Sequence, residues 1–188
     1  MLLLVLSGLM EKEVVIPSGV QIELKGREVS VKGPKGSLTR TFSNAMFDMD
    51  VSIEKADGKI VVKGNDRRKI KSFVGTIASH IKNMIIGVTN GYRYKLKIFH
   101  THFPISLEIK GKQIVVKNFL GARSVQTSEI LGNTKVEIKK DDVTVTGINK
   151  EDVSQTAARI EGCCRISGRD RRVFLDGIYI TGSEIVND

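Results

Sequence analysis

Several residue types are scarce in this 188-residue chain: it has no tryptophan, three prolines and two cysteines, and aromatic residues make up only 5% of it. The two cysteines, Cys163 and Cys164, are adjacent. Neighbouring cysteines cannot staple a fold without severe local strain, and the pair lacks the spacing of zinc ligands. A disulfide-built secreted domain is therefore excluded, and a reducing compartment fits the sequence.

Long apolar runs are also missing. The most apolar stretch, residues 1–10, is far shorter than the roughly 20 residues that a membrane span needs. It has no basic segment before it, and acidic and basic residues follow it in place of a small-residue cleavage site. We therefore expect residues 1–13 to be an apolar leader or extension, with translation from Met10 as a further reading, and no membrane partner.

The charge is mainly of one sign. Lys and Arg number 30 and Asp and Glu number 21, which gives a net charge of +9. This excess indicates a polyanionic partner, which could be nucleic acid, an acidic membrane surface or an acidic glycan. Hydrophobic residues make up 40% of the chain, enough for one ordinary domain or two small ones to form a core.

The sequence repeats itself. Residues 20–36 and 105–121 align without gaps, and six of these 17 pairs are identical. The match resumes between residues 51–64 and 134–147. Each of these segments consists of two short alternating runs around a polar turn, which predicts a β-hairpin.

One helix is predicted after each set of hairpins, because apolar residues recur there at intervals of three and four. The residues of the two stripes are Ile70, Val74, Ile77, Ile81, Met84 and Ile85, and then Val153, Ala157, Ile160 and Cys164. Asp66 and Gly87 are the expected ends of the first helix. An extended run follows each helix, over residues 92–98 and 173–180.

These patterns predict an α+β fold with an internal duplication. Two similar domains are expected, each with mostly antiparallel strands and one main helix around a single core. Their expected bounds are residues 14–99 and 100–181, and a tail would cover residues 182–188.

No residue pattern indicates catalysis or a cofactor. The chain has three histidines, and His100 and His102 share a face of an extended segment without a third zinc ligand at a defined spacing. The glycine-rich segment 33–37 lacks the spacing of a nucleotide-binding loop and joins strands, not helices. We therefore expect no enzyme, no metal, no cofactor and no small-molecule substrate.

Basic residues cluster in both halves, although residues 1–99 carry +8 and residues 100–188 only +1. Arg93, Lys95 and Lys97 alternate with apolar and aromatic residues, so they lie on one strand face that would suit a sugar-phosphate backbone. Four arginines fall within eight positions of the second half: Arg165, Arg169, Arg171 and Arg172. Pairing of these arginines with nearby acidic residues is the structural alternative.

Several ordered motifs carry a resemblance to a known family. They are Ile16-Pro17, Leu24-Lys25-Gly26-Arg27, Val31-Lys32-Gly33-Pro34-Lys35-Gly36, Gly91-Tyr92-Arg93-Tyr94-Lys95, His102-Phe103-Pro104, Asn118-Phe119-Leu120-Gly121, Gly147-Ile148-Asn149-Lys150, and Arg172 followed by Phe174-Leu175-Asp176-Gly177-Ile178-Tyr179. Because these motifs follow one another in this order, the chain resembles the universal large-subunit ribosomal protein six family, called L-nine in eukaryotic cytosolic ribosomes.

The resemblance implies a structural protein of the cytoplasmic large ribosomal subunit. It implies binding to large-subunit rRNA near the sarcin–ricin loop, beside the landing site of the translational GTPases, with neighbouring ribosomal proteins as further partners. The candidate RNA contacts are Lys117, Arg123, Arg165, Arg169, Arg171, Arg172, Arg93, Lys95 and Lys97. Two alternatives stay open: a free-standing RNA-binding module, and a secreted or surface protein that binds acidic glycan or membrane.

Overall fold

The computed structural model describes residues 9–42, 51–56, 58–65, 67–168, 170 and 173–186. It shows two helices and antiparallel strands arranged in four sheets, which confirms the expected duplicated α+β fold. The chain divides between Thr89 and Asn90 into two compact units. Within the described part of the chain, no helix is both long and apolar enough to cross a membrane.

The first unit contains two three-stranded sheets and one helix. In chain order its elements are β1 (Leu9–Val15), β2 (Gln21–Lys25), β3 (Glu28–Gly33), β4 (Gly36–Thr41), β5 (Val51–Ala56), β6 (Lys59–Asn65) and α1 (Arg68–Thr89). The sheets have the strand orders β1-β6-β5 and β2-β3-β4. Every pairing in them is antiparallel.

The second unit repeats this plan with one strand added. Its elements are β7 (Tyr92–Phe99), β8 (Ser106–Lys110), β9 (Gln113–Lys117), a 3₁₀ turn (Phe119–Gly121), β10 (Gln126–Glu129), β11 (Lys135–Lys139), β12 (Asp142–Gly147), α2 (Lys150–Cys163) and β13 (Gly177–Ile185). The strand orders are β11-β12-β7-β13 and β10-β9-β8.

Each helix buries its apolar stripe against strands of its own unit. All ten residues of the two predicted stripes are buried. In the first unit α1 packs on β1, β3 and β6, and in the second α2 packs on β7, β10, β12 and β13. Burying one large aliphatic side chain stabilises a fold by about 1.5–3 kcal/mol, so the stripes fix each helix to its sheets.

The hairpin turns are also repeated. Gly26 and Gly111 join β2 to β3 and β8 to β9, with φ values of 60° and 62°. L-amino acids with a side chain rarely adopt this left-handed conformation. The two turns predicted from the repeat therefore need glycine for the same reason.

The helix ends differ in part from the prediction. α1 continues to Thr89, and Gly87 is buried inside the helix instead of ending it. The glycine in the left-handed conformation is Gly91, with a φ of 81°, so the chain turns four residues later than expected. Asp66, the expected N-cap, lies outside the described residues.

The repeat begins one strand earlier than the expected domain bounds imply. β1 pairs with β6, and β7 pairs with β12 in the same antiparallel way. Residues 92–99 thus belong to the second unit and not to a first domain that ends at residue 99. Residues 9–13, expected in the leader, lie in β1, while residues 1–8 are outside the described part of the chain.

The end of the chain shows a related difference. The second closing strand was expected over residues 173–180, with a tail from residue 182. β13 instead begins at Gly177 and runs to Ile185, so part of the expected tail pairs with β7. The physical reason is that residues 173–176 form contacts with the segment after β7, as described below, and leave the strand to start at Gly177.

Candidate nucleic-acid interface

The basic charge is shared almost equally between the two units. Residues 1–89 contain 14 basic and 9 acidic residues, and residues 90–188 contain 16 and 12, which gives net charges of +5 and +4. The larger difference in net charge between residues 1–99 and residues 100–188 arises because that division counts β7 with the first half. The second unit therefore holds a basic surface of its own.

One part of this surface is the outer face of the four-stranded sheet. In β7, Leu96 and Ile98 are buried on the side of α2, while Lys95 and Lys97 are exposed on the opposite side with Arg93. The predicted alternation is therefore present. Because β7 lies between β12 and β13, its three basic side chains stand near the middle of the sheet face.

Strand β11, which lies beyond β12 in the same sheet, adds two lysines to this face that were not predicted. Lys135 and Lys139 lie in register, through β12, with Arg93 and Lys97. Directly opposed residues of paired strands point to the same side of a sheet. Alternation in residues 135–139 was visible in the sequence, but the pairing of β11, β12 and β7 was not.

Acidic residues partly neutralise the same face. Lys95 Nζ lies 2.6 Å from Glu184 Oε1 on β13, and this hydrogen bond and charge hold the pKa of Glu184 below its usual range. Lys139 lies 3.8 Å from Glu137. Lys97 forms no ion pair with a described residue, although Asp142 lies opposite it on β12.

Lys117 lies at the end of β9 and takes part in a repeated ion pair. Its Nζ is 2.7 Å from Glu108 Oε1, and Lys32 is 3.2 Å from Glu23 at the same positions of the first repeat. The hydrogen bond from Lys117 lowers the pKa of Glu108. Contact of Lys117 with RNA would therefore have to compete with this pair.

Two of the predicted arginines, Arg123 and Arg165, lie in loops of the second unit, and Arg165 lines a surface pocket with Ile178 and Tyr179 of β13. Arg123 follows the 3₁₀ turn, and Arg165 follows α2. Both are exposed, and neither forms an ion pair within the described residues. Arg169, Arg171 and Arg172 lie outside the described residues, so their side chains are not placed.

A buried carboxylate joins two segments of the second unit. Asp176 is 1% exposed, and its Oδ1 accepts hydrogen bonds from the backbone N–H groups of Thr101 (2.6 Å) and His102 (3.2 Å). Its Oδ2 lies 3.1 Å from Nδ1 of His102. Burial alone would raise the pKa of Asp176, but the hydrogen bonds from Thr101 and His102 outweigh it and lower the pKa below 3.8.

The 3₁₀ turn packs against the same segment. The side-chain amide of Asn118 donates to the backbone oxygen of Pro104 (3.0 Å). Gly121 has a φ of 74°, and a Cβ there would lie 3.1 Å from the ring of Phe103. Two motifs that are far apart in the sequence, residues 102–104 and 118–121, are therefore in direct contact.

Several apolar side chains in the segments around His102 and Asp176 remain exposed. They are Phe99, Phe103, Val173, Leu175 and Tyr179. The rings of Phe99 and Tyr179 are 5.9 Å apart, within the range of favourable aromatic contacts. This exposed apolar surface was not predicted, because the pattern of apolar residues alone does not distinguish an exposed apolar residue from a core one.

The cysteines and histidines form no metal centre within the described part of the chain. Cys164, predicted in the apolar stripe, is buried just after α2, and Cys163, the last residue of α2, is partly buried. Burial raises the pKa of both thiols, that of Cys164 to about 12, so both are protonated at neutral pH.

The fold and the surface together define the class of protein. The chain has two repeated α+β units with a basic sheet face and basic loops, and a surface of this kind contacts nucleic-acid phosphates. The Ribosomal protein L6 family model matches residues 16–91 and 103–177, one segment in each repeat. Among similar proteins, large ribosomal subunit protein uL6 of Methanocella arvoryzae is 47% identical over 172 residues, covering 90% of this chain and 95% of the relative.

Other relatives give the same result. Large ribosomal subunit protein uL6 of Staphylothermus marinus is 49% identical over 174 residues, with 90% of this chain and 92% of the relative covered. That of Methanobrevibacter smithii is 41% identical over 182 residues, with 96% and 100% covered. The chain belongs to the ribosomal protein L6 family, a family of structural, non-enzymatic ribosomal components located in the cytoplasm.

Proposed function

We propose that the chain binds large-subunit rRNA mainly through the second unit, near the sarcin–ricin loop and beside the landing site of the translational GTPases. The observation that carries the binding surface is the exposure of Lys97, Arg123 and Arg165 in this unit, without ion-pair partners among the described residues. The position near the sarcin–ricin loop is an expectation from the family resemblance.

The sheet face supplies the broad part of the proposed contact. Arg93, Lys95 and Lys97 stand on the central strand, and Lys135 and Lys139 lie two strands away on the same face. Such cations neutralise phosphates and release the counterions that surround RNA. They fix the position of the protein but do not read sequence.

The loops supply the second part. Arg123 and Arg165 are exposed on loops, and Lys117 lies next to the 3₁₀ turn that precedes Arg123. An arginine side chain can hold a phosphate through two parallel hydrogen bonds, which a lysine cannot do. Arg169, Arg171 and Arg172 stay predictions from the sequence, since they lie outside the described residues.

The proposed partners follow from this location. Large-subunit rRNA is the direct partner, neighbouring large-subunit proteins would contact the remaining surface, and the translational GTPases would bind close by. The names of the relatives place those proteins in the large ribosomal subunit, which supports the same assignment for this chain.

Sucrose-gradient fractionation of native cell extract tests the assignment. We expect the protein to co-sediment with large subunits and to be released only by high salt, because screening and counterions weaken phosphate contacts steeply. Recovery only in soluble fractions at low salt would favour a free-standing RNA-binding module. Extracellular recovery with a mature start beyond Met10 would favour the secreted alternative.

A matched pair of variants tests the surface. Arg123→Ala with Arg165→Ala removes two exposed cations from the second unit, and Arg67→Ala with Arg68→Ala removes two from the start of α1 in the first. Both proteins should fold normally, and only the first should incorporate weakly into subunits. Equal incorporation would contradict the assignment of rRNA binding to the second unit.

A further inference from the structure

We infer that His102 contacts the RNA backbone directly and that Asp176 is the positioning residue that holds its ring in place. The inference rests on the proposed rRNA binding by the second unit and adds two residues to it. It assigns His102 a partner of stated chemistry: a phosphate oxygen or a ribose hydroxyl of large-subunit rRNA.

The ring of His102 is held in place by its neighbours. Asp176 accepts hydrogen bonds from two successive backbone amides and lies 3.1 Å from the ring nitrogen Nδ1 of His102. An ionised carboxylate accepts hydrogen bonds only, so Nδ1 carries the hydrogen. Together with the ring of Phe174, 5.5 Å away, these contacts fix the position of the imidazole.

One side of the ring of His102 nevertheless stays exposed. The side chain of His102 is 48% exposed although its carboxylate partner is buried. Nε2 has no hydrogen-bond partner within the described residues. A neutral imidazole can accept there from a ribose 2′-hydroxyl, and a charged one can donate there to a phosphate. The arrangement is therefore a pre-organised polar contact at the surface.

The first repeat shows that this arrangement belongs to the second unit alone. The backbone N–H of Ile16 donates to the oxygen of Gly58, and that of Ile98 donates to the oxygen of Asp141 at the same place of the second repeat. Three residues separate Ile16 from Val20, but six separate Ile98 from Ile105, the residue aligned with Val20. The segment that carries His102 is therefore longer than its counterpart, and the duplicated turn alone does not account for a buried charge at position 176.

The surroundings of the ring connect it to both loops. Phe103 follows His102 and packs against Gly121, two residues before Arg123. Phe174, whose ring contacts that of His102, belongs to the segment that leads from Arg165 to β13. His102 is therefore in contact with the segments that carry both arginines proposed to bind phosphates.

The test separates the two ring nitrogens in the full-length protein. His102→Asn places an amide nitrogen near the position of Nδ1 and so keeps a donor for Asp176, but it has nothing near Nε2. His102→Gln places a polar atom near Nε2 and loses the bond to Asp176. His100→Ala is the control, because His100 is exposed and two residues away.

The measurements are the affinity for purified full-length large-subunit rRNA and the melting temperature. We expect His102→Asn to melt like the wild type and to bind about fivefold more weakly, the effect of one hydrogen bond. His102→Gln should bind more tightly than His102→Asn despite a lower Tm, and His100→Ala should be unchanged. Asp176→Asn should weaken binding and speed hydrogen exchange at the amides of Thr101 and His102.

The inference and the proposed function fail in different ways. Wild-type affinity of His102→Asn, with weak binding by the Arg123→Ala and Arg165→Ala double variant, would overturn the inference alone. Wild-type affinity of both proteins would overturn rRNA binding by this surface as well. Affinity that follows Tm across the two His102 variants would show a purely structural role and would also overturn the inference.

Discussion

The two units share a plan but not a surface. Both have two antiparallel sheets, one helix and the same glycine turns. They differ where β13 covers the edge of β7, and where Asp176 accepts hydrogen bonds from the segment after β7. The two copies thus share the residues that their cores require, while one end of the second copy has an arrangement of its own.

The largest expected effect tests whether the two cores are equivalent. Ile81 in α1 and Ile160 in α2 are both 0% exposed. Replacing either with alanine should destabilise its own unit by about 2–5 kcal/mol, because buried apolar atoms are lost and a cavity remains in their place. Denaturant unfolding measures the loss, and hydrogen exchange assigns it to a unit. Ile109→Ala, at an exposed position, is the control. A decrease in the free energy of unfolding below about 1 kcal/mol at either core site would contradict the equivalence of the two cores.

Asp176→Asn tests the arrangement that only the second unit has. We expect the free energy of unfolding to fall by about 1–3 kcal/mol at neutral pH, because a buried charged acceptor of three hydrogen bonds is weakened. The folded-state pKa of Asp176 is lowered below the ordinary 3.8. The ionised group therefore stabilises the fold fully above pH 3.8, and this contribution disappears as pH falls through the folded pKa.

The control for this prediction is the pH dependence itself. Acid unfolding of the wild type should include the contribution of Asp176 below pH 3.8, and Asp176→Asn should lack that part of the slope. Thermal melts at neutral pH and at pH 3 measure both proteins. An identical change in Tm between the two pH values in both proteins would show that the carboxylate does not stabilise the fold by its charge.

Gly26→Val and Gly111→Val test whether the duplication holds at the level of single turns. A Cβ at either position meets no atom within 4 Å, so the cost comes only from a left-handed φ. We expect the free energy of unfolding of each variant to fall by about 1–2 kcal/mol, and the two decreases to be similar. Gly162→Ala, which also meets no atom within 4 Å and lies in α2, should be neutral or slightly stabilising. A clear difference between the two valine variants in calorimetric Tm would break the equivalence.

The smallest effect concerns the repeated ion pairs. Lys32→Ala and Lys117→Ala each break an exposed pair, and exposed pairs contribute little to stability. We expect no measurable change in Tm from either. Affinity for large-subunit rRNA should fall about threefold for Lys117→Ala only, since one phosphate contact is lost. A similar fall for Lys32→Ala would show that both units bind RNA alike.

The sequence predicts the local parts of the fold well. The stripes of α1 and α2 and the turns at Gly26 and Gly111 depend on periods of 3.6 and 2 within one segment, and the structure has them all. Partner choice between strands is not local. The alternation of β7 is the same whichever sheet it joins, so its place in the second unit, and the true start of the repeat, could not be read from it.

The candidate site divides in the same way. The sequence showed that Arg93, Lys95 and Lys97 share a face, because strand geometry alone decides this. Lys135 and Lys139 join that face only through the register of three strands. The contact between His102 and Asp176 spans 74 residues, so neither residue carries a signal of it in its neighbourhood.

β13 also bears on how the four-stranded sheet meets its surroundings. β1 and β7 each begin a unit, and β13 follows α2 as β7 follows α1. β13 folds back onto β7 and covers an edge that could otherwise pair with another chain. The last strand of the second unit therefore protects this side of the sheet against edge-to-edge association.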